Sequence, residues 1–227
     1  MFFKVCLNTN LVSLGSNVPS LASSQTASNC HHPVTSTRYN GSVTTLATSA
    51  LAIDFAPTPW VGRVGMSACP GAGGGNASAQ TEQVLVQHVA QIAAHQIKTV
   101  VSLLDTTDLQ RLGAKNLSHH LAQRGIAWHQ LPVVDYGVPS LAVTAQWQRL
   151  LPALTSVLQN DNILVHCAHG KGRTGTLVAT MFKAWGWNTD AAMARVRQFR
   201  PGAIETHKQE AYVQAFEPAV FAALRGT

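Results

Sequence analysis

The sequence predicts an α/β fold, a single domain in which a central, mostly parallel sheet of about five strands is flanked by helices. Two observations carry this prediction. Short apolar stretches typical of buried strands alternate with longer stretches whose apolar residues recur at helical spacing. Hydrophobic residues make up 46% and charged residues 11% of the 227 residues, which suits one core of ordinary size.

The N-terminal half begins with a segment of different composition. Residues 1–48 are rich in Ser, Thr and Asn without a sustained period, so we expect a flexible tail there and a folded domain over 49–227. The elements expected next are a hairpin within 50–66, a glycine-rich loop over 70–76, a helix over 81–97, a strand over 97–104 and a short helix that ends at Gly113.

The second half continues the alternation of helices and strands. Caps, glycines and prolines set the expected boundaries. The elements expected here are a helix over 116–124, a strand over 126–134, a long helix from Ser140 to about Gln159 with a kink at Pro152, a strand over 162–166, and helices over 173–186, 189–199 and about 205–224.

One edge of such a sheet is the expected binding site, because ligands of parallel sheets bind at the carboxyl ends of the strands. Three loops that follow strands are predicted to meet there. They carry Cys69, Asp135 and Cys167.

Residues 166–175 join the last expected strand to a buried helix. Free backbone N–H groups and the helix dipole converge at such a junction and form an anion cradle. Cys167 precedes Arg173 by six residues, so a tight loop can curl around one phosphate-sized anion, to which Arg173 presents a bidentate fork. The residues whose backbone is expected to bind the anion are Ala168, His169, Gly170, Lys171 and Gly172.

The position of Cys167 predicts a nucleophile, because a helix N-terminus and nearby positive charge lower the pKa of a thiol. Thr174 is expected to donate its hydroxyl to the sulfur, and His166 to bond backbone around the loop and hold its shape. The alternative is a buried structural cysteine beside an ordinary turn. The match to H-C-x-x-G-x-x-R-[ST] between a strand and a helix argues against that alternative.

Asp135 is the candidate general acid, because expulsion of an alcohol from phosphate requires a proton donor. It follows a strand in a loop bounded by Pro132 and Pro139, and such a loop can close over a substrate. Asp105 and Asp108 are the competing carboxylates, and we interpret both as helix caps.

These residues resemble the H-C-x5-R-[ST] signature of the cysteine-dependent protein tyrosine phosphatase superfamily. The resemblance covers about residues 58–216. Through residues 66–71, 131–139 and 200–209 it is most similar to the kinase-associated, cyclin-dependent-kinase-inhibitor-type dual-specificity phosphatases. It implies that 49–227 is a dual-specificity-phosphatase-like catalytic domain that acts on phosphotyrosine, and on phosphoserine or phosphothreonine if its specificity is broad.

The resemblance also implies a two-step mechanism without metal or cofactor. Cys167 would attack phosphorus, Arg173 would hold the equatorial oxygens, and Asp135 would protonate the leaving oxygen and then activate water. In many relatives the last motif reads Ile-Gln-Thr-x-x-Gln, and its first Gln positions that water. Here the position holds Glu205, and the second Gln is Gln209. Either Glu205 slows phosphoenzyme hydrolysis or it points away and leaves Gln209 to orient water.

Three other functions remain open. Lys171 stands where phosphoinositide phosphatases carry a lysine, although their usual second lysine is replaced by Ala168, so a phosphoinositide or inositol phosphate is an alternative substrate. Residues 167–170 also resemble cysteine-type RNA 5′-triphosphatases, which do not rely on a residue like Asp135. A phosphate-binding module without turnover is disfavoured by the intact Cys167 and Arg173.

The charge and the cysteines bear on partners and location. A net charge of +6 and a pI near 9.5 favour anionic partners, here a phosphorylated protein rather than nucleic acid, although solubility alone would also account for them.

The four cysteines form no disulfide framework, and Cys30-His31-His32 lacks a second ligand cluster, so no metal is expected. No apolar run is long enough to span a membrane, and a cytoplasmic location is expected. Cys69 is either a redox partner of Cys167 or, as we favour, a small buried thiol.

Overall fold

A computed structural model describes residues 50–72 and 79–218. The expected tail over 1–48, with Cys30-His31-His32, lies outside the described residues, as do residues 73–78 of the glycine-rich loop and residues 219–227.

The sheet has five strands, and its architecture confirms the predicted fold class. Their order is β1-β2-β5-β3-β4, in which β1 runs antiparallel to β2 and all other neighbours are parallel. The strands are β1 (Ile53–Pro57), β2 (Arg63–Ser67), β3 (Ile97–Ser102), β4 (Ala127–Gln130) and β5 (Asn162–His166).

Seven helices flank the sheet within the described residues. Four of them begin at a side-chain cap that accepts the N–H three residues on. The sequence predicts such a cap at Asp105, and Ser140, Asn188 and Thr206 are the other three. None of these helices is long and apolar enough to cross a membrane. They are α1 (Ala79–Ala94), α2 (Thr106–Arg111), α3 (Leu117–Ala122), α4 (Leu141–Leu158), α5 (Gly172–Ala184), α6 (Thr189–Phe199) and α7 (His207–Ala215).

The last helix is shorter than predicted. It ends at Ala215 instead of near residue 224, and Phe216 already has the extended angles φ −67° and ψ 114°. Pro218 explains the early end, because proline disfavours helical angles at the residue before it and supplies no N–H.

The strand predicted over 126–134 is also shorter, since β4 ends at Gln130. Pro132 follows, and it cannot donate a ladder hydrogen bond. Two isolated bonds still hold the chain beside β3, from Leu131 N to Ser102 O (2.8 Å) and from Val133 N to Leu103 O (3.1 Å). The segment is thereby carried along the sheet to its carboxyl edge.

The centre of the core is β5, whose five residues are all buried. It lies between β2 and β3, and α5 packs on it with a run of buried residues that extends from Gly172 to Phe182. His166 is level with Ser67 on one neighbouring strand and with Ser102 on the other. The loop after β5 therefore leaves the sheet at the middle of its carboxyl edge.

Candidate active site

Cys167 is the first residue after β5, and only 3% of its surface is exposed. Its Sγ accepts a hydrogen bond of 3.2 Å from the N–H of Gly170, so the loop turns back over the sulfur. The loop ends at Lys171, the N-cap residue of α5. The sulfur thus lies where free N–H groups and the positive end of a helix dipole favour a bound anion.

One glycine, Gly170, is required for this loop, and a second, Gly172, lies close to Glu205. Gly170 has φ 71°, and a Cβ there would lie 2.1 Å from the carbonyl oxygen of Ser67. A Cβ on Gly172 would lie 2.4 Å from Oε2 of Glu205. A side chain at Gly170 would displace the loop from the strand that supports it, whereas one at Gly172 would press on the side-chain ends of Glu205 and Gln209.

Arg173 is buried at the start of α5 and connects the loop to the segment that carries Asp135. Its Nη1 donates to the carbonyl oxygen of Val133 at 3.0 Å, and its Nη2 lies 2.9 Å from Oδ1 of Asp135. The side chain of Asp135 is 54% exposed. The structure therefore brings Cys167, Arg173 and Asp135 to one rim, and Asp135 occupies donors that an incoming phosphate would take.

Asp108 is also close to this arginine, and its interpretation as a helix cap is wrong. The cap is Asp105, whose carboxylate accepts the N–H of Asp108 at 2.7 Å. The carboxylate of Asp108 instead pairs with Arg111 at 2.7 Å and lies 3.7 Å from Nη1 of Arg173. Asp108 follows the carboxyl end of β3, and this place in the sequence could have indicated that its side chain lies near Arg173.

Arg200 supports the loop from outside, and the sequence did not reveal it. Its Nε donates to the carbonyl oxygen of Gly170 at 3.0 Å and its Nη2 to that of His169 at 2.8 Å. Its Nη1 pairs with Oδ2 of Asp54 on β1 at 2.6 Å. Because a peptide carbonyl and the following N–H point in opposite directions, these bonds favour N–H groups directed into the cradle.

Thr174 does not make the hydrogen bond to sulfur that we expected. Its hydroxyl is buried and has no hydrogen-bond partner among the described residues. The contact with Sγ comes instead from the N–H of Gly170, because the loop closes over the sulfur from that side.

His166 is fully buried, and burial lowers its pKa from 6.5 to about 4, to which the charge of Arg173 contributes less. Its Nδ1 lies 3.4 Å from the carbonyl oxygen of Cys167, a long contact with backbone as expected. The imidazole is therefore neutral at physiological pH and serves as an uncharged support beneath the loop.

This depressed pKa predicts that acid destabilises the fold. Above pH 6.5 both states hold a neutral imidazole, whereas between pH 6.5 and about 4 the unfolded chain binds a proton that the folded chain excludes. Lowering the pH from 7 to 5 should therefore cost about 2 kcal/mol of unfolding free energy through this residue. Urea unfolding at both pH values measures the effect. His166→Gln should reduce the dependence. An unchanged dependence in His166→Gln would contradict the assignment.

Gln209 is buried and its amide is largely engaged within the fold. Its Oε1 accepts the N–H groups of Glu205 (2.9 Å) and Thr206 (3.3 Å), and its Nε2 donates to the carbonyl oxygen of Gly137 at 3.1 Å. It thus ties the loop of Asp135 to the start of α7. This leaves it poorly placed to orient water alone.

Glu205 does not point away from the loop, since its carboxylate lies against Gly172. The interpretation in which it leaves the site to Gln209 is therefore wrong. Its effect on the second step stays a prediction.

The other residues of the cradle divide by exposure. Ala168 is buried, whereas His169 and Lys171 are exposed at the mouth. These two side chains are thus available to the part of a substrate beyond the phosphate.

Cys69 lies beside the loop, as the common rim predicts. Its N–H donates to the carbonyl oxygen of Ala168 at 3.1 Å, and its side chain is buried. Burial, with a smaller contribution from Cys167, raises the pKa of its thiol to about 12. Both cysteines are free. A thiol that stays protonated reacts slowly in disulfide exchange, which favours the interpretation as a buried thiol over a redox partner.

Comparison with protein families gives a match over residues 75–213 to the model described as Swiss Army Knife protein, DSP-PTPase phosphatase domain (PTP-SAK). This match confirms the predicted superfamily. Among curated proteins, the chain is 29% identical over 137 residues to protein tyrosine phosphatase domain-containing protein 1 of Bos taurus, covering 56% of this chain and 17% of that protein. It is 26% identical over 145 residues to protein tyrosine phosphatase type IVA 3 of Homo sapiens, covering 60% of this chain and 83% of that protein.

Among solved structures, the fold is similar to that of kinase associated phosphatase with serine in place of its catalytic-site cysteine. The TM-score is 0.64 at 23% identity, over 77% of this chain and 98% of the other. The chain thus spans less than a fifth of the bovine relative but nearly all of this phosphatase.

Proposed function

This chain belongs to the PTP-SAK family of DSP-PTPase phosphatase domains, and we propose that it hydrolyses phosphate esters of proteins through a phosphocysteine intermediate. One observation carries the proposal. Cys167 and Arg173 lie on one loop with the N–H groups of an anion cradle, and the carboxylate of Asp135 reaches Arg173 from a separate loop at 2.9 Å.

In the first step, Sγ of Cys167 attacks phosphorus and the bond from phosphorus to the substrate oxygen breaks. Arg173 and the backbone N–H groups hold the equatorial oxygens, and protonated Asp135 gives its proton to the leaving oxygen. In the second step, water gives a proton to the Asp135 carboxylate and attacks phosphorus. The P–S bond then breaks, and phosphate and the thiolate are released. Arg173 must exchange Asp135 for phosphate at the start of each cycle.

A phosphorylated protein is the proposed substrate, with phosphotyrosine first and phosphoserine or phosphothreonine as further targets. The names of the curated relatives support tyrosine phosphate, and the presence of Asp135 supports an ester whose leaving group needs a proton. A nucleophilic thiol must stay reduced, so the proposal includes a reducing compartment such as the cytoplasm.

A phosphoinositide or inositol phosphate is the second candidate substrate, because Lys171 is exposed at the mouth of the cradle and can contact a second phosphate. The buried Ala168 offers no further cation there.

The test is the rate of phosphate release from three substrate classes under one set of conditions. A tyrosine-phosphorylated peptide panel, phosphoinositides in mixed micelles and RNA with a 5′-triphosphate would each be incubated with the full chain. We expect kcat/KM to be highest for the peptides. A preference for phosphoinositides or RNA would overturn the proposed substrate class. Failure of the wild type on all three would overturn the proposed activity.

A further inference from the structure

The loop of Asp135 contains a strained tyrosine. The N–H of Gly137 donates to the carbonyl oxygen of Val134 at 2.9 Å and closes a four-residue turn. Tyr136 holds the third position with φ 54°, whereas Asp135 is not among the residues with positive φ. This combination is that of a type II turn, in which the third position strongly favours glycine.

The packing of the fold does not explain why a tyrosine stands there. Its side chain is 63% exposed, and within the described residues neither its ring nor its hydroxyl has a hydrogen-bond or aromatic partner. Only its backbone N–H is engaged, with Oδ1 of Asp135 at 3.1 Å. Within the described residues, no side-chain contact therefore offsets the unfavourable backbone conformation of Tyr136.

Two residues close to Tyr136 in the sequence are also apolar and exposed. Val134 is 82% exposed and Leu141 is 92% exposed. Five large apolar side chains are exposed in the described part of the chain, and three of them lie between residues 134 and 141, around Asp135. We call Val134, Tyr136 and Leu141 the apolar rim. Clustered apolar exposure beside a site is typical of a recognition surface.

We propose that the apolar rim binds apolar side chains that flank the phosphorylated residue of a protein substrate. This inference rests on the proposed function and assigns its substrate preference. Position indicates the occupant, because Asp135 pairs with Arg173 at the phosphate end and stands between Val134 and Tyr136 in the chain. The apolar side chains of the rim bind apolar side chains of a substrate by excluding water. The rim offers no comparable gain to the ribose-phosphate chain of RNA, which is polar and charged.

The test measures binding without turnover, in full chains that all carry Cys167→Ser. Fluorescence anisotropy would give the Kd of a phosphotyrosine peptide with apolar flanks and of one with Ser and Gly flanks. We expect the apolar peptide to bind about tenfold more tightly, and Tyr136→Gly to remove most of that ratio. Because glycine relieves the strained turn, the same substitution should raise Tm by about 3 °C. Leu141→Ala should also reduce the ratio.

Gln96→Gly is the matched control. Gln96 is exposed, has φ 56° and lies between α1 and β3, so its replacement should raise Tm in the same way without changing either Kd. Equal affinity of the two peptides for the chain with an intact rim would overturn the inference. A ratio that is the same in Tyr136→Gly as in the intact rim would also overturn it. Binding to phosphatidylserine vesicles would be measured for the same variants, and a larger loss of vesicle binding than of peptide binding in Tyr136→Gly would overturn it too. Peptide binding and phosphate release are measured separately. A result that overturns the role of the apolar rim can therefore be told apart from one that overturns the proposed activity.

Discussion

Replacement of Cys167 by serine is expected to lower kcat for aryl phosphates by about 10⁴-fold or more. A serine hydroxyl stays protonated at neutral pH and attacks phosphorus poorly, whereas sulfur is intrinsically a far stronger nucleophile. The serine hydroxyl can still accept the N–H of Gly170, and the substitution leaves the bonds from Arg200 to the loop unchanged. Affinity for a phosphopeptide should therefore change by no more than about threefold. Steady-state kinetics with an aryl phosphate and anisotropy with the peptide measure the two quantities.

The matched control is Cys69→Ser. Cys69 is buried at the same rim and bonded to Ala168, but it lies outside the loop that holds the anion. This variant should keep kcat within a few-fold of the wild type, since its thiol has no chemical role in the proposed mechanism. Activity of Cys167→Ser comparable to that of the wild type would eliminate the phosphocysteine pathway. Mass spectrometry of the wild type after rapid acid quench should also show one phosphoryl group on the peptide that contains Cys167.

The fold and the cradle could be predicted because their determinants are local in sequence. Strand, loop and helix at residues 162–184 each carry their own pattern, and Gly170, which the loop requires, stands within it. The common rim also followed from the sequence, because the carboxyl ends of parallel strands share one edge. That rule placed Cys69 and Asp135 near Cys167 without knowledge of any side-chain contact.

Most of the remaining features depend on contacts between distant segments, which no local pattern encodes. Arg200 and Asp54 are 146 positions apart, and their pairing exists only once α6 has packed beside β1. The sequence predicts Asp108 as a cap because it stands in the first turn of a helix. Tertiary packing, however, directs its side chain toward Arg173. The missing bond of Thr174 has a different origin, because it is decided within the loop, where the N–H of Gly170 meets the sulfur instead of the hydroxyl of Thr174.

Replacement of Asp135 by asparagine is expected to lower kcat for phosphotyrosine by about 10²- to 10³-fold, because an amide cannot supply the proton that the leaving oxygen needs. The loss should shrink as the leaving phenol becomes more acidic and should nearly vanish for the most acidic phenols. A series of substituted phenyl phosphates, with log kcat plotted against the pKa of the phenol, measures this dependence. The slope should be steep in the variant and shallow in the wild type.

The ion pair of Asp135 with Arg173 adds a second expected effect of opposite direction. Asparagine removes the carboxylate that competes with phosphate for Nη2 of Arg173, so inorganic phosphate should inhibit the variant more strongly, by about tenfold in Ki. Asp108→Asn provides the control, because Asp108 is also close to Arg173, at 3.7 Å, but has no proposed proton to give. It should leave the slope of the leaving-group plot unchanged. A loss in Asp135→Asn that is the same for all phenols would show that Asp135 only positions Arg173, and the proton donor would then have to be another group.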